Sequence, residues 1–392
     1  MHYVKNATGL CIACLIALSV HATPYLPADG TQVIERLPSR NDPIQQELKR
    51  MRAELAAAPD NLQLAVTLAR RYIEVARSDG DPRYLGYAQA SLSPWWNQPN
   101  APVEVRVLRA TLLQSTHQFP QALAELDEAI KRDRTNAQAW LTRATVLQVQ
   151  GDYDAAKASC AKLYARAPQL VTVACLSSAA SLSGQVEGSY KLLKTTLERN
   201  PDSEVSLQAW ALTLLGEMAL RQGQLSTAEE HFRRALSLSP SECYLIGAYA
   251  DLLLDQGRSA EAIGLLKNSL RVDALLLRYA LALKQQGSSA TAEQVEILRS
   301  RFAAATLRGD TVHQREQARF ELQLLEHPKE ALELAQQNWE VQKEPADARI
   351  FLEAAIENRD RVAAKPVLAW LKQSRLEDRT LQRLAGRLEG GG

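Results

Sequence analysis

Apolar and small residues recur along this chain with a period that suits helix hairpins and not strands. Ala110, Ala144, Ser177, Gly216 and Ala250 stand 34, 33, 39 and 34 residues apart, each in the middle of an apolar helical segment. Twelve positions after each comes a second small residue: Ala122, Ala156, Ser189, Ala228 and Ala262. Two antiparallel helices approach closely only where both side chains at the crossing are small, so each pair predicts one tight hairpin. Bulkier neighbours follow four residues later, at Leu126, Cys160, Leu193, Phe232 and Leu266. Gly151, Gly184, Gly223 and Gly257 fall between the two helices, and Pro168, Pro201 and Pro240 end the second. Such a unit cannot bury its apolar face alone, so the hairpins must stack.

These residues resemble the tetratricopeptide-repeat family. The segment Ala137 to Pro168 carries Trp140, Ala144, Leu147, Gly151, Tyr153, Ala156 and Pro168 at that family's spacing. The segment Ala209 to Pro240 carries Leu215, Gly216, Gly223, Ala228, Phe232, Ala235 and Pro240. The resemblance implies an all-α superhelix of about nine hairpins with no chemistry of its own. Five repeats occupy 103–272. Residues 59–102 form a divergent hairpin in which Trp95 and Trp96 lie on a Pro-flanked loop, and 273–375 hold further divergent hairpins around Ala280, Ala318 and Ala354.

The ends differ in pattern. Lys5, the apolar run Gly9 to Val20 and the small residues before Ala22 make 1–22 a signal peptide, with periplasmic or secreted export expected. A lipoprotein reading at Cys14 competes with it, but apolar residues continue past that cysteine. Residues 23–41 form an extended leader, and a helix over 42–58 begins at Asp42 as its N-cap. A charged helix within 376–392 caps the stack before a Gly tail.

Composition then narrows the partners. The chain has 46 Lys and Arg against 45 Asp and Glu, and losing 1–22 removes one Lys, so the expected mature chain is balanced. Balance argues against nucleic acid, whose phosphates need an excess of base. No cofactor motif or metal-ligand spacing is present, and neither a cofactor, a metal nor a membrane span is expected.

In the family, the first helix of each hairpin lines the concave face. Carried onto this chain, the groove positions include Gln138, Thr145, Gln148, Trp210, Thr213, Glu217, Tyr244 and Asp251, with Trp210 and Tyr244 as aromatic anchors. Leu141 and Thr145 stand where a carboxylate-gripping repeat would place basic residues, so that mode is not expected. The resemblance implies a non-enzymatic scaffold in the cell envelope that holds a protein or peptide. Two alternatives are a subunit of an envelope assembly or export complex, and a helical-toroid enzyme acting on polysaccharide with acids drawn from Glu217, Asp251 and Asp255. Cys160 and Cys175 lie at nearly equal distances from the turn at Pro168. That spacing leaves open a disulfide or two buried thiols.

Overall fold

The computed structural model describes Asp29 and residues 42–390. The expected signal peptide with Cys14, the leader apart from Asp29, and Gly391 and Gly392 lie outside these residues. The chain divides into two compact units, Met1–Glu47 and Leu48–Gly392. In the first, Asp42 accepts the Ile44 amide at 2.8 Å, which caps the start of α1 (Pro43–Ala57).

The second unit is a helical solenoid, with no strand among the described residues. Hairpin 1 joins α2 (Leu62–Asp79) to α3 (Arg83–Ser91), and the short α4 (Ser93–Trp96) follows. Hairpins 2 to 4 are α5 (Val103–Ser115) with α6 (Phe119–Arg132), α7 (Ala137–Val149) with α8 (Tyr153–Ala161), and α9 (Gln169–Ser181) with α10 (Val186–Glu198). Hairpins 5 and 6 are α11 (Val205–Arg221) with α12 (Leu225–Leu238), then α13 (Cys243–Asp255) with α14 (Ser259–Leu266). Hairpin 7 pairs α15 (Asp273–Gln285) with the longer α16 (Thr291–Leu307). Hairpin 8 pairs α17 (Gln314–Phe320), prolonged by a π-helical turn (Glu321–Leu325), with α18 (Pro328–Val341). Hairpin 9 is α19 (Pro345–Glu357) with α20 (Lys365–Ser374), and α21 (Arg379–Gly390) ends the stack.

The small-residue pairs sit at the crossings, where Ala110, Ala122, Ala156, Ala228, Ala250 and Ala262 have no exposed surface. At Gly216 the fit leaves no room for a side chain: a Cβ there would lie 2.5 Å from the Phe232 ring. The turn between the two helices of hairpin 3 needs a left-handed residue, and Gly151 supplies it at φ 82°. Asn136 and Asp152 cap the two helices of the same hairpin through the amides of Ala139 and Ala155.

One expectation is corrected at the insertion. Trp95 and Trp96 belong to the short helix α4 and are not on an open loop. Both are half-buried, and the Arg109 guanidinium lies 5.5 Å from the Trp96 ring centre. Arg106 and Arg109 share Glu125 at 2.7 Å each, and Arg109 also donates to the Trp95 carbonyl. The insertion is thereby tied to hairpin 2, which explains why two adjacent tryptophans can both be sheltered.

Candidate functional site

The first helices of hairpins 3, 5 and 6 carry the residues that sequence reasoning placed in the groove. Gln138 and Thr145 on α7 are exposed, and Gln148 is half-buried. Tyr244, at the start of α13, is 59% exposed, unusual for a tyrosine whose hydroxyl is held by the α11 residue Glu217. The negative charge of Glu217, and then burial, push the Tyr244 hydroxyl well above its ordinary pKa. Burial raises Glu217 as well, and the Tyr244 bond only partly offsets this. The ring is open to solvent while its hydroxyl is held by Glu217.

Other groove assignments need correction. Thr213 is buried, with its hydroxyl donating to the Ala209 carbonyl one turn back, so it lines nothing. Trp210 packs against the apolar clusters of neighbouring hairpins, including the one around Cys160 and Cys175. Expected as an aromatic anchor of the groove, it is half-buried against these clusters. Asp251 is inside the coil but already occupied: Arg278 and Arg319 bind its two oxygens at 2.6 and 2.7 Å. Burial pulls the Asp251 pKa up, yet the two guanidinium groups outweigh it and hold the carboxyl well below its usual range. Asp255 receives a two-pronged bond from Arg349, 2.7 Å on each oxygen. An acid held well below its usual range cannot serve as a proton donor, so Asp251 is not the general acid that a glycan-cleaving site would need, and both oxygens of Asp255 are taken up by Arg349.

Sequence reasoning missed these arginines. Arg319 directly follows Ala318, as Asp251 follows Ala250 and Thr145 follows Ala144. The position after the first small residue is the shared inward register, so carrying the repeat through Ala318 would have named it.

Cys160 and Cys175 are joined by a disulfide, with 5.5 Å between their Cα atoms, so the last turn of α8 is tied to the middle of α9. Cys243 is free, and its thiol donates to the Ser78 carbonyl at 3.3 Å. Among the described residues no cluster of His, Cys, Asp and Glu is arranged to hold a metal ion. No helix among them is long and apolar enough to cross a membrane.

A tetratricopeptide-repeat family model matches residues 107–171 and 183–242. No curated protein matches the chain in sequence. Among solved structures, the human IFIT1 dimer with m7Gppp-AAAA is similar at TM-score 0.50 and 13% identity, over 84% of this chain and 77% of that one. Yeast Tom70 is similar at TM-score 0.40 and 11% identity, over 88% and 84%. The Cut9–Hcn1 hetero-tetramer of the APC/C matches at TM-score 0.40 and 13% identity over 88% of this chain, which spans 52% of that one. At these identities the likeness is one of fold.

Proposed function

We propose that this chain, a tetratricopeptide-repeat protein, is a non-enzymatic scaffold of the cell envelope that holds an extended segment of another protein along the inner face of hairpins 3 to 6. The observation that carries this reading is the solvent-open Tyr244 ring on that face, in company with exposed Gln138 and Thr145. An aromatic ring with polar neighbours suits a segment bound by burial of one side chain and hydrogen bonds along its backbone. The overall charge of the chain is close to neutral and favours neither nucleic acid nor anionic lipid. Location outside the cytoplasm rests on the signal-peptide pattern at 1–22.

The experiment is photocrosslinking in cells, with the crosslinking residue placed at Thr145 or Tyr244 and, as control, at the outward Glu230 on α12. A discrete adduct from both inner positions and none from Glu230 is the expected result. Adducts from Glu230 alone would remove the inner face as the binding surface. A phosphatase fused after Ala22 tests export, because it becomes active only outside the cytoplasm.

A further inference from the structure

The inner face is not an open trough, because the solenoid coils back onto itself. The turn of hairpin 1 meets the junctions on either side of hairpin 6: a Cβ on Gly80 would lie 2.3 Å from Val272, and the Cys243 thiol binds Ser78. The turn of hairpin 3 meets the junction between hairpins 8 and 9, where the Lys343 amide donates to the Val149 carbonyl at 2.7 Å. The turn of hairpin 4 meets the junction before α21, with the Val186 amide donating to Glu377 at 2.9 Å. The Gly80–Val272, Val149–Lys343 and Val186–Glu377 contacts have the same offset along the stack, and the Cys243–Ser78 contact lies one junction earlier, so together they form one seam between successive turns of the superhelix. Tyr153 and Leu182, from hairpins 3 and 4, are buried in the apolar cluster of the last two hairpins.

A second set of contacts crosses the inside of the coil. Arg319 of hairpin 8 and Arg349 of hairpin 9 reach Asp251 and Asp255 of hairpin 6, from 68 and 94 residues away. These acids lie on the face assigned above to a partner. The acid-bearing end of that face is therefore occupied by the chain's own later hairpins.

We propose that hairpins 8 and 9 with α21 form a self-docked lid, held by the Arg319 and Arg349 crossbars and by the seam, which covers the Asp251 and Asp255 end of the inner face until it swings away. The regulation proposed rests on the groove reading of the preceding section. The crossbars are only partly buried, with Asp255 and Arg349 each about one third exposed. Salt therefore weakens them, whereas the apolar part of the seam is insensitive to it.

The test is hydrogen exchange read by mass spectrometry, with small-angle scattering for size, on the full chain and the Arg319→Gln/Arg349→Gln variant. The expected result is exchange at the Lys343 and Val186 amides faster by about tenfold or more, a larger radius of gyration, and unchanged protection in α5 and α6. Unchanged exchange at both seam amides, with unchanged size, overturns the lid. Glu377→Ala provides a second variant that leaves the crossbars intact. If the lid moves as one body, this variant also accelerates Lys343, which lies at a different hairpin junction. Acceleration confined to Val186 counts against a lid. None of these readouts needs a partner, so the lid and the groove reading can fail separately.

Discussion

Gly216→Ala tests whether the small residues at the hairpin crossings are there for helix packing. Two effects oppose each other. Alanine in a helix interior is favoured over glycine by about 0.5–1 kcal/mol, because glycine loses more backbone freedom on folding. At Gly216, however, the new methyl would sit 2.5, 2.7 and 3.0 Å from three carbons of the Phe232 ring, against ordinary contacts of about 3.5–4 Å. Phe232 has no exposed surface, so the ring must retreat by about 1 Å into packed surroundings. Overpacking of that kind costs about 1–3 kcal/mol, which exceeds the helical gain and predicts a net loss of about 1 kcal/mol or more. The same substitution at Gly86 or Gly264, helical glycines whose Cβ would meet nothing within 4 Å, should stabilise instead. Hairpins 2 and 6 place Leu126 and Leu266 opposite Ala110 and Ala250, so Phe232→Leu should rescue Gly216→Ala, with a coupling of about 1–2 kcal/mol. A stacked solenoid need not unfold in one step, so urea midpoints from circular dichroism should be paired with local hydrogen exchange in α11 and α12. A gain at Gly216 equal to that at Gly86, or no rescue by leucine, would refute the packing argument.

Three further outcomes are expected. In the chain lacking residues 1–22, alkylation under denaturing, non-reducing conditions should modify Cys243 alone, and reduction should then expose Cys160 and Cys175 and cost about 3 kcal/mol for a loop of that length. In the native chain Cys243 should react slowly near neutral pH, since burial, with Glu242 and Asp79 nearby, raises its thiol to about 11. Glu229 is held at about 2, chiefly by hydrogen bonds from Arg258, so its folded pKa lies below the unfolded value of 4.5. Its stabilisation is then complete above about pH 4.5 and is lost as pH falls toward 2. Glu229→Gln should cost up to about 2–3 kcal/mol at pH 7 and much less at pH 2, and an equal cost at both would exclude the linkage.

How far the sequence could be read depended on the span of each contact. Pairs such as Ala144 with Ala156 act within one hairpin, and the same spacing repeats, so one unit explains the next. The disulfide lies between local and distant contacts: the turn at Pro168 made it conceivable, but only the packing of α8 on α9 joins the sulfurs. Gly151 and Gly223 show what periodicity hides. Their spacing marks them as turn residues, which the positive φ angles explain, yet each also meets a distant segment. A Cβ on Gly151 would lie 3.3 Å from the Trp370 indole nitrogen, and one on Gly223 2.7 Å from Arg379. Those partners come more than 150 residues later, on hairpins where the repeat had weakened and a π-helical turn shifts the register. The carbonyls of Gln323 and Leu324 in that turn are taken by Lys284 of hairpin 7. Curvature in a solenoid accumulates from small rotations between neighbours, so a local motif fixes the unit but not how many units complete a turn. The charges inside the coil depend on that number. Asp251 and Asp255 read as open groove acids in a shallow coil and as ion-pair partners in a tight one, and the difference lies in where Arg319 and Arg349 arrive.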